Sequence, residues 1–366
     1  MQKKLDLLPF PNGAQSDGFI AALSSALLPC LGIGKDVLYW CNPNGGYCSK
    51  CGQCGTLSTL SKHQEMLYHT LLTASGLAFT FDYPEDDHVD FHTMPGVGKG
   101  WRWEEPFMAE LMDFAGLSYI RYKNQSIGQM RGFVKDAIHS GYPALAANHG
   151  QWGDPMEWAR CWNLVWGYEG DGLCFMGPGG GTTVQRDGEY EDWILITGKA
   201  ERKLIYREVL EKTYSVLTHP SHEKLERQIL RDLSRITPEN AADTAYKMTG
   251  INGVPIESRW HAAEAFLSRD NLLSSLPGPR ELKRRIGSLL FTRYIDDNNQ
   301  NGTHGVGWRI WGCLKVGPKT GYLPTEESFG LIQKPEVQQE LKRLFGIVFD
   351  NDRAVAKEIA AALEEI

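Results

Sequence analysis

No apolar run in this chain approaches the ~20 residues needed to span a bilayer, so a membrane protein is not expected. Positive charge is in deficit. Its 38 Lys and Arg face 45 Asp and Glu, a formal net charge of -7. A nucleic-acid binder needs clustered cations to meet phosphates. The densest basic runs here, ELKRR (281–285) and KAERK (199–203), read instead as solvated helix faces. The glycine-rich GPGGGTTV (177–184) has no Lys-Ser or Lys-Thr to reach a phosphate and reads as a turn. The opening MQKKLDLLPFPNGAQSDG is interrupted by Asp6, Pro9 and Pro11 and lacks the apolar run and cleavage site of a signal peptide. The expected compartment is therefore the cytoplasm, where thiols are kept reduced. The chain shows no internal repeat.

What is present is ordinary globular composition: 42% hydrophobic, 23% charged and 11% aromatic residues. A chain of 366 residues is expected to form two domains or one with a large extension. The division falls near residue 200. An α+β domain over 1–200, carrying a cysteine-rich loop at 41–55, precedes a mainly helical region over 201–366.

The loop reads GGYCSKCGQCG at 45–55. Cys48, Cys51 and Cys54 stand at three-residue intervals, with Cys41 seven residues upstream of the first. Each CxxC pair ends on a glycine, Gly52 or Gly55, which lets the backbone turn so that two thiolates reach one tetrahedral ion. The expected metal ligands are Cys41, Cys48, Cys51 and Cys54, with His63 or His69 as substitutes for one of them. Structural zinc is the first reading. An iron–sulfur cluster is the alternative, with its fourth cysteine upstream because none follows Cys54 until Cys161. A loop holding no metal is the third. The loop has few apolar residues to order itself, and a metal would replace the missing burial.

Periodicity predicts a helix over 17–32, capped by Asp17 and stopped by Pro29 and Gly32, and a second over 63–76 closed by Gly76. LAFTFDY (77–83) reads as a strand. A helix over 103–116 precedes the strand LSYIRY, and a helix over 132–141 precedes strands in YPALAANH, WNLVWGYEGD and GLCFMGP. After residue 198 the pattern is helical, with Leu225, Ile229, Leu233 and Ile236, then Val337, Leu341, Leu344 and Val348, at helical spacing. A Gly/Trp-rich island at 301–324 interrupts it.

Four segments carry a family resemblance: SDGFIAAL, SGLAF, SGYPALAA followed by WNLVWGYEGDGLCFMGP, and SRWHAAEAFL. They resemble the N-terminal domain of butirosin-biosynthesis protein H and, more widely, the papain-like bacteriocin-processing peptidases that cleave double-glycine leaders. The resemblance covers roughly 10–200 and, more faintly, the helical tail, and implies a papain-like fold of bacterial type. It also implies a cysteine nucleophile opening the first helix, a histidine base starting the strand that leads into Gly-Tyr, and an Asp or Asn before a proline on the next strand. The three aligned positions here hold Gly18, Cys161 and Gly177. Glycine can neither attack a carbonyl nor orient a base, so a pseudoenzyme is expected.

A rebuilt site would use Cys161 as nucleophile, His149 or His139 as base, and Asp154. Against it, Cys161 lies among aromatic residues, where a buried inert thiol is commoner. His149 also reads as a surface histidine. PEDDHVDFH (84–92) offers Asp86, Asp87, His88, Asp90 and His92 to a hard metal, or is a solvated acidic loop. GWRWEE (100–105) offers Arg102 between two indoles for cation–π stacking, or plain core packing. Three functions follow. The first is a non-catalytic papain-fold protein binding a peptide, amino acid or acyl ligand, with a structural metal knuckle. The second is a thiol-dependent acyltransferase, amidase or peptidase with a relocated nucleophile. The third is an iron–sulfur or zinc redox sensor.

Overall fold

The computed structural model describes residues 2–5, 18–31, 38–40, 57–80, 105–149, 160–177, 182–251, 256–267, 272–273, 276–296, 301–321 and 323–366. These fall into two compact units, within 1–71, 102–204 and 270–272 and within 72–101, 205–269 and 273–366.

The first unit is mixed α/β around an antiparallel sheet. In chain order its elements are β1 (Gln2–Lys4), α1 (Gly18–Leu31), β2 (Leu38–Trp40), β3 (Leu57–Ser61) and the start of α2 (Lys62–Ala74). Then come α3 (Glu105–Ala115), β4 (Leu117–Ser126), α4 (Ile127–His139), β5 (Ala144–His149), β6 (Arg160–Glu169), β7 (Gly172–Met176), β8 (Thr182–Gln185) and β9 (Glu189–Lys199). The seven-stranded sheet runs β4-β9-β5-β6-β7-β8, with β1 added to β6, and β2 pairs with β3 separately. Every pairing among the described residues is antiparallel.

Local chemistry explains these boundaries. Helix α4 begins earlier than the expected 132 because Ser126 and Gln129 form a reciprocal capping box. The Gln129 N–H donates to Ser126 Oγ at 3.3 Å, and the Ser126 N–H donates to Gln129 Oε1 at 2.8 Å. Its Ile127, Met130, Val134 and Ile138 then lie on one face, buried with Val165, Phe175 and Trp193 from the sheet. Helix α1 is apolar nearly all round and packs on β6, with the rings of Phe19 and Trp162 4.9 Å apart. Pro29 lies inside α1 rather than ending it.

A close backbone approach sets one prediction. A Cβ on Gly167 would lie 2.7 Å from the Lys3 carbonyl oxygen and 2.9 Å from Lys4 Cα. Strand β1 passes there, and the Leu5 N–H donates to Trp166 O at 2.8 Å. Gly167→Ala should therefore displace β1 and cost about 1–3 kcal/mol, a typical overpacking penalty. Exchange of the Leu5 amide should speed up. The same substitution at Gly132 in α4, where nothing lies within 4 Å, should stabilise the helix instead. Equal effects at the two sites would refute the close-contact account.

The second unit is helical. It contains α5 (Tyr206–Leu217), α6 (Pro220–Asp232), α7 (Ala241–Ile251), α8 (Glu257–Leu267), α9 (Arg280–Leu290), α10 (Thr303–Cys313), α11 (Glu326–Ile332) and α12 (Pro335–Glu364). Leu225, Ile229 and Leu233 meet Val306 and Ile310, and Leu341, Leu344 and Val348, in one core. Ile236 and Val337 pack partly buried against it.

Two expectations are corrected here. Leu77–Phe79 is a single 3-10 turn, not the opening of a strand. All three of its residues are fully buried, so the run has no polar face to alternate with, and β-type side chains are used as core. The Gly/Trp island does not interrupt the helices, because α10 lies inside it. Its glycines each cost roughly 1 kcal/mol of helix propensity. Burial of Val306 and Ile310, and the edge-on packing of Trp308 on Trp311 at 5.2 Å, outweigh that cost.

Candidate functional site

Among the described residues, each unit holds chemistry-bearing residues. In the first unit, Gly18 is the first residue of α1 and Cys161 the second of β6. Each immediately precedes one member of the Phe19–Trp162 ring pair. Strand register sets Cys161 across from Asn148, and His149 across from Arg160, one step further along. Gly177 follows β7 directly. His139 is elsewhere, at the end of α4, where its Nε2 lies 2.8 Å from the Tyr168 hydroxyl.

Asp154 lies outside the described residues, as do Cys41, Cys48, Cys51 and Cys54, the acidic loop 84–92, and Arg102 with its flanking tryptophans. His63 and His69 lie in α2, the latter buried. Among the described residues no group of three or more His, Cys, Asp or Glu is placed to hold a metal. Free cysteines there include Cys30, Cys174 and Cys313. Burial pushes all three thiols upward, Cys30 to about 12, so none is a ready nucleophile. No helix among the described residues is long and apolar enough to cross a membrane.

The second unit holds a buried ionic cluster that the sequence did not announce. Arg259 on α8 is fully buried and grips Asp352 on α12, with Nη2 to Oδ2 at 2.6 Å and Nε to Oδ1 at 2.9 Å. Its Nη2 also donates to the Phe79 carbonyl at 3.2 Å. The Tyr294 hydroxyl donates to Asp352 Oδ1 at 2.9 Å. Burial, reinforced by the Asp352 charge, drives the Tyr294 phenol well above its usual range, so it stays a donor. His222 on α6 approaches the same carboxylate, Nε2 to Oδ2 at 3.8 Å. Burial wins over that attraction and holds the imidazole down to about 4. At neutral pH the contact is therefore not an ion pair.

His222 and Asp352 also line a cleft of about 440 Å³ between α5, α6 and α12. Sequence reading missed these residues because they come from four separated elements. One signal was available. Asp352 sits at helical spacing within the stripe Leu341, Phe345, Val348, Val355 and Ile359, where a charge must have a partner.

No family model, no curated protein and no solved structure matches this chain.

Proposed function

We propose that the first unit is a papain-like binding domain without thiol-protease chemistry, taking a peptide, amino acid or acyl ligand where such a fold keeps its active site. The observation that supports this reading is the Phe19–Trp162 pair at 4.9 Å. It brings the start of α1 to the strand in which the family resemblance expects the base. The two residues preceding that pair are Gly18 and Cys161. One has no side chain, and neither is an imidazole. Nucleophilic catalysis needs a nucleophile, a base within hydrogen-bond reach and a group to orient the base. With glycine also at 177, these positions supply at most a thiol.

The test is kinetic. Activated esters and short peptides should give no burst and no trapped thioester, and Cys161→Ser should leave ligand binding unchanged. A burst with an acyl adduct on Cys161 would replace this reading with that of a thiol-dependent transferase or hydrolase.

The cysteine run supports a second element of the proposal, one zinc ion held by Cys41, Cys48, Cys51 and Cys54. Bound metal would keep the thiolates deprotonated and order a loop poor in apolar residues. Elemental analysis of protein purified without oxygen should find one zinc per chain, and Cys51→Ala should lose it along with thermal stability. Stoichiometric iron with acid-labile sulfide would assign a cluster and the sensor reading instead. Four freely titrating thiols would remove the metal altogether.

A further inference from the structure

We propose that the cleft between α5, α6 and α12 is a binding site for a small amphipathic carboxylate. Its volume of about 440 Å³ falls within the roughly 300–1,000 Å³ typical of small-molecule sites. It lies wholly in the second unit, so it stands independently of the ligand proposed for the first.

The space is made by small side chains. Helix α12 lines the cleft with Phe349, Ala356 and Ala360 on one face. Beyond Phe349 the apolar positions that α12 gives to the cleft are alanines. Leu217 at the end of α5 adds a further apolar wall. An apolar body therefore has a place to lie.

Charge accounting selects the head group. Asp352 is fully engaged by Arg259 and Tyr294. Arg353 is spent on Glu226 and Asp350, each at 2.7 Å. Glu223 at the rim faces Arg227 at 3.6 Å. Lys357 also lines the cleft, and among the described residues it makes no ion pair. Lys357 is thus the charge lining the cleft that no carboxylate contacts, an exposed ammonium. The first turn of α6, with His222 and Glu223, borders the same space, and a helix N-terminus carries partial positive charge. A cationic ligand would meet like charge, and a neutral one would leave Lys357 unanswered.

The experiment is calorimetric titration of the full chain with octanoate, octanamide and octylammonium. Octanoate should bind one site per chain at least about tenfold more tightly than either of the others. Lys357→Gln, at an exposed position, should reduce octanoate affinity to that of octanamide. Ala360→Leu, which fills the cleft from a partly exposed position, should weaken octanoate binding by about tenfold or more while leaving the melting temperature near the parent value. Equal affinity for the three compounds would overturn the proposal. So would octanoate binding untouched by both substitutions, or absence of binding at millimolar octanoate.

Discussion

Asp352→Ala is expected to destabilise the helical unit by about 3–5 kcal/mol, because it leaves the Arg259 guanidinium buried without its counter-charge. Domains are commonly stable by only ~5–15 kcal/mol, so this one change would consume a large share of the total. For a unit of this size each kcal/mol lowers the melting temperature by roughly 2–4 °C, giving a fall of roughly 6–20 °C. Tyr294→Phe removes only the hydroxyl that donates to Asp352 Oδ1 and should cost less, about 1.5–3 kcal/mol. The informative comparison is the pair Arg259→Met with Asp352→Leu. Removing both charges should be milder than removing either, since no uncompensated ion remains. If the double variant is as unstable as the sum of the single ones, Arg259 and Asp352 are not the coupled pair that their 2.6 Å contact implies.

That cluster also marks where sequence reading ends. Strands β4, β5, β6 and β7 were legible because they are β-rich runs bounded by Gly and Asp turns, as in the Glu169–Gly172 turn joining β6 to β7. The helical core was legible because Leu225, Ile229 and Leu233 repeat with the period of a helix face. Leu77–Phe79 was misread because periodicity needs a polar face, and these residues have none. Helix α10 was misread because glycine count lowers local propensity while saying nothing of the core that the helix enters. His222, Arg259, Tyr294 and Asp352 share no motif at all, since 130 residues separate the first from the last. Only tertiary packing brings them together. The cysteines at 41–54, the plainest signal in the sequence, lie outside the described residues.

Stability should fall with acid earlier than carboxylate protonation explains, and His222 should be the cause. In the unfolded chain its imidazole takes up a proton near 6.5, whereas burial holds it to about 4 in the folded protein. Between those values the unfolded state binds more protons, so stability drops as pH falls through the window. It is level above about 6.5 and loses nothing further from this group below about 4. Two and a half units at 1.36 kcal/mol each amount to about 3 kcal/mol, an upper figure for a ring that keeps slight exposure. The nearby Asp352 charge favours protonation, but burial is the larger influence and the Arg259 charge opposes protonation as well. Hydrogen-bonded carboxylates such as Glu340, lowered chiefly by Arg343, lose their contribution only at more acid pH, below the ordinary value of 4.5. Urea unfolding between neutral pH and about 5 therefore reads the histidines ahead of the carboxylates, and a His222 variant separates its share from that of the buried His69 and His261. His222 should account for roughly 2 kcal/mol of the loss over that range, so His222→Gln should show a slope shallower by that amount whatever its absolute stability. Parallel slopes in the two proteins would mean that His222 titrates normally and that the buried neutral imidazole is not a feature of the folded state.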